Sequence, residues 1–494
     1  MIARRELLGG VAAAAVLSAP ATSARGEPQR RPGDGTPGPV ERRGDKDVIE
    51  ISSVRELAEY AARSGNRVRM RPGVYRVADF LTDGEIAKVR AEVPADAPGR
   101  PPVWMLRFSG SGNRFDLSGV VLEIDTALYR KLPRGYVRCL FVRGDDNVLA
   151  GLTVTNTGPN QGSNGNTLSV WGDGNVLEDV SLYVSGSSPY GYGDLLGKGG
   201  PNLVATQKQS GIMVAGRRNT LRRCRVVSRA FGHCFYIQKP EGLVTDDIRL
   251  EDCHAEGVTR STADMLREAD GPLARLHYGT IAENRDGRYL VVPGYRKALC
   301  EDGFRTYGGT GRITLVNCTA THTRAGFEIA GPDDPAAGRT LIEGGSALGC
   351  ERAYLIGSNT TVRNSRGDTQ YGPLLYLRGG RNSDVELEWC GEGSDYTVHA
   401  LATVAGEGHQ VRLFTREPAD RAAPGVPVLL GYGMPANAEM ASPFRPAATR
   451  GVRLTVDLDR IAVIQGAEAT DCTVTARGPV LPDAQTRRLP ERPR

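Results

Sequence analysis

The sequence predicts an all-β fold: a single-stranded right-handed parallel β-helix with an N-terminal capping helix and two long loop insertions. Three observations support this fold class. Two short strand patterns alternate along the chain, copies of the second pattern follow one another at intervals of 21 to 27 residues except at two interruptions, and glycine is abundant, with 62 of 494 residues. Repeats of this length, made of strands without helices, are typical of solenoids in which each coil stacks on its neighbour.

The composition is that of a folded chain with a large core. Hydrophobic residues make up 40% and charged residues 24%, whereas aromatic residues contribute only 6%. A formal net charge of +5 is too small to favour dedicated nucleic-acid binding. The longest apolar run, 7–19, is about 13 residues long and shorter than a membrane-spanning helix requires. We therefore expect neither a nucleic-acid partner nor a membrane span.

The N-terminus has the layout of an export signal. Arg4 and Arg5 precede an Ala-rich apolar stretch that ends in small residues, and the paired arginines are similar to those of twin-arginine signals. We assign 1–24 to this signal and 25–47, rich in Arg, Gly and Pro, to a flexible linker. This organisation predicts an exported protein, either periplasmic or secreted.

The predicted β-helix occupies 48–480, and a disordered basic tail follows at 481–494. The first strand pattern opens with an asparagine in four copies, at Asn113, Asn147, Asn175 and Asn219. The second pattern alternates apolar and polar residues, as a strand with one buried face does. Its predicted inward residues are Leu168, Ile212, Phe235, Phe304, Phe327, Tyr354 and Leu375.

A helix is predicted before the first coil. Ser53 and Glu56 have the spacing of a capping box, and 53–65 has the spacing of an amphipathic helix. We expect this helix to cover the open N-terminal end of the solenoid.

Nine cysteines are present, an odd number, so at least one is unpaired. Equal positions of a solenoid repeat stack about 4.8 Å apart. We therefore interpret the four cysteines that share one repeat position as an inward ladder rather than as disulfides or a metal site: Cys224, Cys253, Cys318 and Cys472. The sequence contains no Cys or His spacing typical of zinc, and we assign no metal ligands.

Two insertions interrupt the repeat. One lies at about 186–209, and the other, about 40 residues long, lies between Glu256 and Leu299. Both enter between the first and the second strand pattern, so they are expected to wall the sheet formed by the second pattern. Long loops beside a rigid scaffold are where binding residues concentrate.

Polar and aromatic residues concentrate on the outward face of that sheet, between the two insertions. With Phe235 and Ile237 inward, alternation places His233, Tyr236 and Gln238 near the outer surface. The candidate catalytic residues are His233, Tyr236, Asp302, Arg305, Tyr307 and Glu328. The candidate substrate-binding residues, on the same face or on the insertions, are Trp171, Tyr190, Tyr192, Lys198, Gln238, Lys239, His277, Tyr278, Tyr295, Arg296, Lys297, Tyr376 and Arg378.

The repeat and the opening segment VRMRPGVYRV resemble the pectate-lyase-like right-handed β-helix superfamily over roughly 48–480. The resemblance implies a carbohydrate-active enzyme with a polysaccharide or oligosaccharide substrate, and many members are lyases of uronate polymers. Pectate lyases of this group line their groove with carboxylates that bind calcium. The strands here carry no comparable concentration of aspartate, so we expect no required cofactor, with calcium possible.

Lyase chemistry has candidates for each role. β-Elimination at a uronate needs a base for the proton at C5, an acid near the leaving oxygen and positive charge for the carboxylate. His233 is the candidate base with Asp302 orienting it, and Arg305 is the candidate carboxylate clamp. The candidates for the acid, or for an alternative base, are Tyr236, Tyr278 and Tyr307.

Three alternatives stay open. A glycoside hydrolase or fructan-type transferase would use two carboxylates, for which Asp302 and Glu328 are candidates. A C5-epimerase would begin with the same proton abstraction as a lyase. A non-catalytic carbohydrate-binding solenoid fits less well, because both interruptions of the repeat lie beside one polar patch. The sequence leaves the oligomeric state open.

Overall fold

The computed structural model describes residues 48–93, 101–158, 162–187, 207–261, 296–391, 400–416, 426–433 and 445–482. The described residues belong to one compact unit, Lys46–Arg494. The predicted export signal (1–24) and linker (25–47) lie outside them, as does most of the predicted tail. The last described strand ends at Pro482, two residues beyond the predicted end of the β-helix.

The described chain is a parallel β-helix built from three ladders of strands, which confirms the predicted fold class. In the first ladder each strand pairs in parallel with the equivalent strand of the next coil. Its strands are Ile49–Ile51, Arg67–Met70, Arg114–Asp116, Val148–Ala150, Val176–Glu178, Thr220–Arg222, Ile248–Glu251, Ile313–Val316, Thr340–Glu343, Thr360–Gly367, Asp384–Trp389, Gln410–Phe414, Arg453–Asp457 and Thr473–Ala476.

The second ladder follows the first in each coil and merges with it at Thr360–Gly367. Its other strands are Gly73–Arg76, Val120–Asp125, Thr153–Thr157, Ser181–Val184, Arg225–Ser228, His254–Glu256, Thr319–Thr321 and Ser346–Leu348.

The third ladder carries the second strand pattern of the sequence, and we call it the site ladder. Its strands are Pro102–Phe108, Tyr136–Val142, Gly165–Val170, Gln209–Val214, Phe235–Ile237, Asp302–Thr306, Ala325–Ile329, Tyr354–Ile356, Leu375–Arg381, Ala402–Glu407, Val428–Leu430, Val463–Gln465 and Val480–Pro482. Two short strands, Thr449–Arg450 and Ala469–Thr470, extend this sheet.

The recurring asparagines form a buried ladder between the coils. The backbone N–H of Asn113 donates to the side-chain oxygen of Asn147 at 3.1 Å, and that of Asn147 donates to Asn175 at 3.0 Å. Asn175 repeats the contact with Asn219 at 2.7 Å. Each side chain thus satisfies a backbone donor at a corner where no strand partner exists, which explains why the first strand pattern opens with asparagine.

The predicted inward residues of the site ladder are all buried in one core. Four of them form a stack of aromatic rings. The ring centroids of Phe235 and Phe304 are 5.0 Å apart, those of Phe304 and Phe327 are 5.1 Å apart, and those of Phe327 and Tyr354 are 4.9 Å apart. The ring planes are nearly parallel, because in-register strands about 4.8 Å apart place equivalent rings at close to this centroid spacing.

Helices occupy the N-terminal part of the described chain, at Val54–Ala61, Val77–Phe80 and Asp83–Glu92, and short 3-10 helices lie at Thr126–Lys131 and Pro335–Ala337. The predicted capping helix is the first of these. The Ser53 hydroxyl accepts from the backbone N–H of Glu56 at 3.2 Å, and the Glu56 carboxylate accepts from that of Ser52 at 2.9 Å. Its buried residues, Val54, Leu57 and Ala61, join the core.

All nine cysteines are free thiols. Cys224, Cys253 and Cys318 are buried in successive coils of the core, as the inward ladder predicts. Cys472 differs, because it is only half-buried. It precedes Thr473–Ala476, the last described strand of the first ladder, which pairs with a neighbour on one side only.

The two interruptions of the repeat are insertions into single coils. Phe235 pairs directly with Phe304, and Leu168 pairs with Ile212, so the intervening residues add no coil to the site ladder. At the base of the second insertion, Thr259–Ser261 pairs antiparallel with Arg296–Ala298. Tyr432–Gly433 pairs in the same way with Arg445–Pro446.

Within the described ranges, no helix has the length and apolar character needed to cross a membrane.

The aromatic stack gives a prediction about stability. Replacing Phe327 by Ala removes the middle of the stack from a close-packed core, and we expect the free energy of unfolding to fall by about 3–5 kcal/mol. Tyr183→Ala is the matched control, because Tyr183 is an aromatic residue on a strand with 43% exposure. We expect it to change stability by about 0.5 kcal/mol at most. Chemical denaturation measures both, and equal losses would contradict the account.

Candidate active site

The outward side chains of the site ladder form a continuous column. Tyr236 pairs in register with Arg305, and Arg305 pairs with Glu328. On the N-terminal side, Met213 pairs with Tyr236 and Ser169 with Met213. These pairings place a tyrosine, an arginine and a glutamate, all candidates from the sequence, on three successive strands.

The outward residues are much less exposed than alternation suggests. His233 and Tyr236 were expected near the surface, yet each is only 5% exposed, whereas Gln238 is exposed as expected. The reason is that side chains of neighbouring coils cover one another. Tyr236 forms a small cluster with Met213 and Ala215, separate from the core, and Trp171 and Tyr307 pack against it.

Three side chains form a polar chain that leads from the interior of the site toward its opening. Asp302 is fully buried, and its Oδ2 lies 3.0 Å from His233 Nδ1. His233 Nε2 lies 2.8 Å from the hydroxyl of Tyr307, which is half-buried. Asp302 lies closer to Nδ1 than Glu301 Oε2 lies to Nε2, at 3.0 Å against 3.6 Å, which favours the tautomer with its proton on Nδ1. In that tautomer Nε2 accepts from the Tyr307 hydroxyl. The arrangement is that of an oriented base in contact with a phenol.

A buried network of ion pairs supports this chain. Arg324 Nη2 lies 2.9 Å from Asp302 Oδ1, and Arg324 Nη1 lies 3.4 Å from Glu301 Oε1. Lys208 Nζ lies 2.7 Å from the other oxygen of Glu301. Arg305 forms an ion pair with Glu328, and its Nη1 lies 3.8 Å from Asp302 Oδ2. The three cations therefore face three carboxylates within one cluster.

The network fixes the ionisation of Asp302. Burial alone would raise the pKa of this carboxyl, but the charge of Arg324, the contact with His233 and the charge of Arg305 hold its pKa well below the usual range. Asp302 is thus a permanent anion that orients His233 and stabilises the imidazolium.

The pKa of Tyr307 is shifted in the direction opposite to that of Asp302. Burial raises the pKa of its phenol to about 12, although the nearby Arg305 charge acts in the other direction. The Arg305 guanidinium lies 4.6 Å from the centre of the Tyr307 ring. Tyr307 therefore keeps its proton over the whole physiological range and is available as a proton donor.

A groove of about 630 Å³ opens beside His233 and Tyr307 toward the N-terminal coils. It contains five of the sequence-predicted residues: His233, Tyr236, Tyr307, Gln238 and Trp171. The other lining residues are Pro101, Pro102, Tyr136, Arg138, Asn164, Lys208, Ser210, Met213, Pro240 and Glu241. Aromatic rings beside hydrogen-bonding groups are suited to sugar rings.

Several sequence-predicted residues lie away from this groove. Arg305 and Glu328 do not line it and neutralise each other. Tyr376 is buried two strands beyond Glu328 in the same column. Arg296 lies at the base of the second insertion, 5.0 Å above the Tyr371 ring, and Lys239 is exposed beside the groove residue Gln238.

The remaining candidates lie outside the described part of the structure, either as whole residues or by their side chains. Six of them lie outside the described residues: Tyr190, Tyr192, Lys198, His277, Tyr278 and Tyr295. Lys297 and Arg378 lie on described strands, but their side chains fall outside the described part of the structure.

Sequence reasoning missed Arg138, Tyr136, Asn164 and Lys208, which line the groove. A signal for the first two exists: Leu140 pairs with Leu168, so the segment Tyr136–Val142 is a further copy of the second strand pattern. Extending the repeat by one coil would have placed Arg138 beside Asn166. Lys208 stands at the end of the first insertion, where the sequence carries no periodic signal.

Among the described residues, no group of three or more His, Cys, Asp or Glu side chains is arranged to hold a metal ion. The described carboxylates of the site instead contact arginine and lysine side chains. The expectation that calcium is possible but not required stays a prediction.

Comparison with known proteins gives likenesses of fold. No protein-family model matches the chain, and a search of curated proteins found no match. Among solved structures, a PL6 alginate lyase in complex with a trisaccharide is 11% identical with a TM-score of 0.49, covering 88% of this chain and 87% of its own. A mannuronic-acid-specific family 6 lyase from human gut microbiota is 10% identical with a TM-score of 0.42, covering 87% and 82%.

The A-module of a mannuronan C-5 epimerase from Azotobacter vinelandii is 14% identical with a TM-score of 0.38, covering 83% of this chain and 99% of its own. At these identities the likeness concerns the fold alone. The three parallel ladders of the chain itself carry the assignment as a β-helix.

The ion-pair network gives a prediction about stability and pH. Arg324→Met leaves Asp302 and Glu301 buried with fewer partners, and we expect the free energy of unfolding at pH 7 to fall by about 3–5 kcal/mol. Because the pKa of Asp302 is depressed in the folded state, its contribution is present above the unfolded pKa of about 3.9 and is lost as the pH falls below it. The difference between wild type and variant should therefore narrow below about pH 4.

The matched control is Arg412→Met, since Arg412 also contacts two carboxylates, Glu386 and Asp457, but is 51% exposed. We expect its cost to stay below about 1 kcal/mol. Denaturation at several pH values measures both variants. A loss for Arg324→Met that is as small as the control, or constant between pH 7 and pH 3.5, would contradict the network's role.

Proposed function

We propose that the chain is a metal-independent polysaccharide lyase that cleaves a uronic-acid-containing glycan by β-elimination. The observation that carries the proposal is the chain of contacts from Asp302 through His233 to Tyr307, with distances of 3.0 and 2.8 Å, at the wall of an aromatic groove. These contacts combine an oriented base with a proton donor, which are two of the three groups that β-elimination requires.

His233 is the proposed base. Its Nδ1 faces the permanent anion Asp302, which favours protonation of the ring once Nε2 has taken a proton. In the resting site Nε2 lies 2.8 Å from the Tyr307 hydroxyl, and with the ring proton on Nδ1 it accepts from that hydroxyl. A substrate whose bridging oxygen accepts from Tyr307 instead frees Nε2 for the C5 proton.

Tyr307 is the proposed acid. Its raised pKa of about 12 keeps the phenol protonated at neutral pH, as a donor to a leaving oxygen must be. Tyr236 is less suited to this role, because it is more deeply buried and its hydroxyl lies 2.8 Å from the Asn166 amide. We therefore propose that Tyr236 shapes the wall of the groove and does not act as the acid.

The reaction balances without a further reactant. His233 Nε2 takes the C5 proton, the electrons of that C–H bond form the C4–C5 double bond, and the bond from C4 to the bridging oxygen breaks. The oxygen leaves with the Tyr307 proton. Proton return from His233 to Tyr307 then restores the resting site. The product carries an unsaturated uronate at the new non-reducing end.

Hydrolysis by paired carboxylates is less well supported. A glycoside hydrolase needs one carboxyl that stays protonated to act as the general acid. Asp302 is held ionised by Arg324, His233 and Arg305, and Glu328 pairs with Arg305. Neither carboxylate lines the groove.

The decisive assay follows the unsaturated product. Purified protein is incubated with acidic and neutral polysaccharides in deuterated water, while absorbance near 235 nm, new reducing ends and deuterium at C5 are recorded. The proposal predicts that absorbance and reducing ends rise together on an acidic polymer. Reducing ends without absorbance would indicate a hydrolase, and deuterium without either would indicate an epimerase. Either result would overturn the proposal, as would silence in all three measurements across uronate polymers.

Variants locate the chemistry. Tyr307→Phe removes the proton donor with little change in shape, and we expect kcat to fall by about 10²- to 10⁴-fold, with a comparable fall for His233→Gln. Tyr183→Phe is the control, since Tyr183 lies on a strand of the second ladder and makes no contribution to the groove. Full activity of the Tyr307 variant would exclude this residue as the acid.

A further inference from the structure

Arg138 is a buried cation in the groove. It lies on the strand Tyr136–Val142, is 7% exposed, and pairs in register with Asn166 of the next strand. Its Nη1 donates to the Ser169 hydroxyl at 3.2 Å and lies 3.0 Å from the Met213 sulfur, two strands along. The guanidinium therefore extends along the groove, from its own strand toward the strand that carries Tyr236.

The partners of Arg138 in the described structure are neutral. No described carboxylate lies within 4.0 Å of its guanidinium, and its Nε has no hydrogen-bond partner. Burial lowers the pKa of Arg138, while the Tyr236 and Tyr136 hydroxyls act in the opposite direction. Arginine nonetheless stays charged at any physiological pH. A full positive charge is thus held almost out of water without a counter-charge among the described residues.

Three aromatic rings lie close to this guanidinium. It lies 4.2 Å from the centre of the Trp171 ring, 5.3 Å from that of Tyr136 and 5.6 Å from that of Phe141. Cation–π contacts of this kind and the hydrogen bond to Ser169 restrict the motion of an arginine side chain. The side chain is therefore organised before any ligand arrives.

The other cations of the site differ from Arg138 in one respect. Arg324, Arg305 and Lys208 each contact a buried carboxylate. A buried charge without a partner is costly, so proteins normally pair it or use it to bind a ligand of opposite charge. Glu241, the carboxylate among the described lining residues of the groove, is exposed and forms no ion pair with Arg138.

We infer that Arg138 binds the carboxylate of an acidic sugar unit, next to the unit whose C5 proton His233 removes. Arg138 and His233 line one groove, and Trp171, whose ring centre lies 4.2 Å from the guanidinium, lines it with them. The inference rests on the proposed function and narrows its substrate class to glycans with carboxylates on neighbouring sugars. Arg138, rather than the ion-paired Arg305, is then the residue that selects an acidic polymer.

Binding is tested separately from cleavage. Tetrasaccharides of galacturonate, mannuronate and guluronate, and their carboxyl-reduced counterparts, are titrated against the Tyr307→Phe protein at constant ionic strength, with tryptophan fluorescence as the readout because Trp171 lies beside Arg138. We expect at least one uronate to bind about 10- to 100-fold more tightly than its reduced form. Adding Arg138→Met should abolish that preference.

Two controls separate recognition from structure. Arg143→Met removes an exposed arginine 5.7 Å from the Trp171 ring and should change affinity by less than about threefold, as expected of a screened surface charge. Arg138→Met should unfold at the same temperature as wild type or higher, because it removes an uncompensated buried charge. A destabilisation equal to that of Arg324→Met would identify Arg138 as a structural residue and overturn the inference.

The two proposals fail in different ways. If the protein prefers the uronate through Arg138 but forms no double bond, the recognition site is retained and the lyase function is rejected. If Arg138→Met cleaves the polymer with unchanged affinity and unchanged KM, the lyase function is retained and the recognition site is rejected. If no uronate binds to the Tyr307→Phe protein, or if reduced and intact tetrasaccharides bind equally, the inference is wrong.

Discussion

In-register parallel pairing between coils is the constraint on which the rest of the structure depends. Each coil lies about 4.8 Å from the next, so one repeat position becomes a row of neighbouring side chains. In the core this produces the stacked rings from Phe235 to Tyr354. On the outward face the same constraint brings Tyr236 beside Arg305 and Arg305 beside Glu328. Residues up to 69 positions apart in the sequence thus become neighbours without any loop having to position them.

The outward face is divided by charge into two parts. Around Asp302, three cations face three carboxylates, and this compensated cluster holds His233 in place. Toward the N-terminal coils the groove contains aromatic rings, neutral hydrogen-bonding groups and Arg138, for which the described residues supply no counter-charge. The first part is suited to orienting a base, because its charges are already satisfied. The second part is suited to binding an anion, because its charge is not satisfied until a ligand arrives.

The sequence predicts the fold and the meeting of Asp302 with His233, because both follow from the repeat spacing. It predicts less about charge. The column of Tyr236, Arg305 and Glu328 is visible in the sequence, but whether Arg305 faces a substrate or Glu328 depends on side-chain geometry, and the structure gives the ion pair. Arg138 is missed for a different reason. Its strand, Tyr136–Val142, has consecutive apolar residues that hide the alternation, so Arg138 is found only when the repeat is extended by one coil, which aligns it with Asn166.

The central claim is that a uronate polymer lies in the groove with one sugar at His233 and its neighbour at Arg138. The crystal structure of the Tyr307→Phe variant with a uronate tetrasaccharide tests this most directly. The account predicts one C5 within about 3.5 Å of His233 Nε2, and an adjacent carboxylate in hydrogen-bond contact with the Arg138 guanidinium. A glycan bound across Arg305 and Glu328, or with its carboxylates turned away from Arg138, would contradict it.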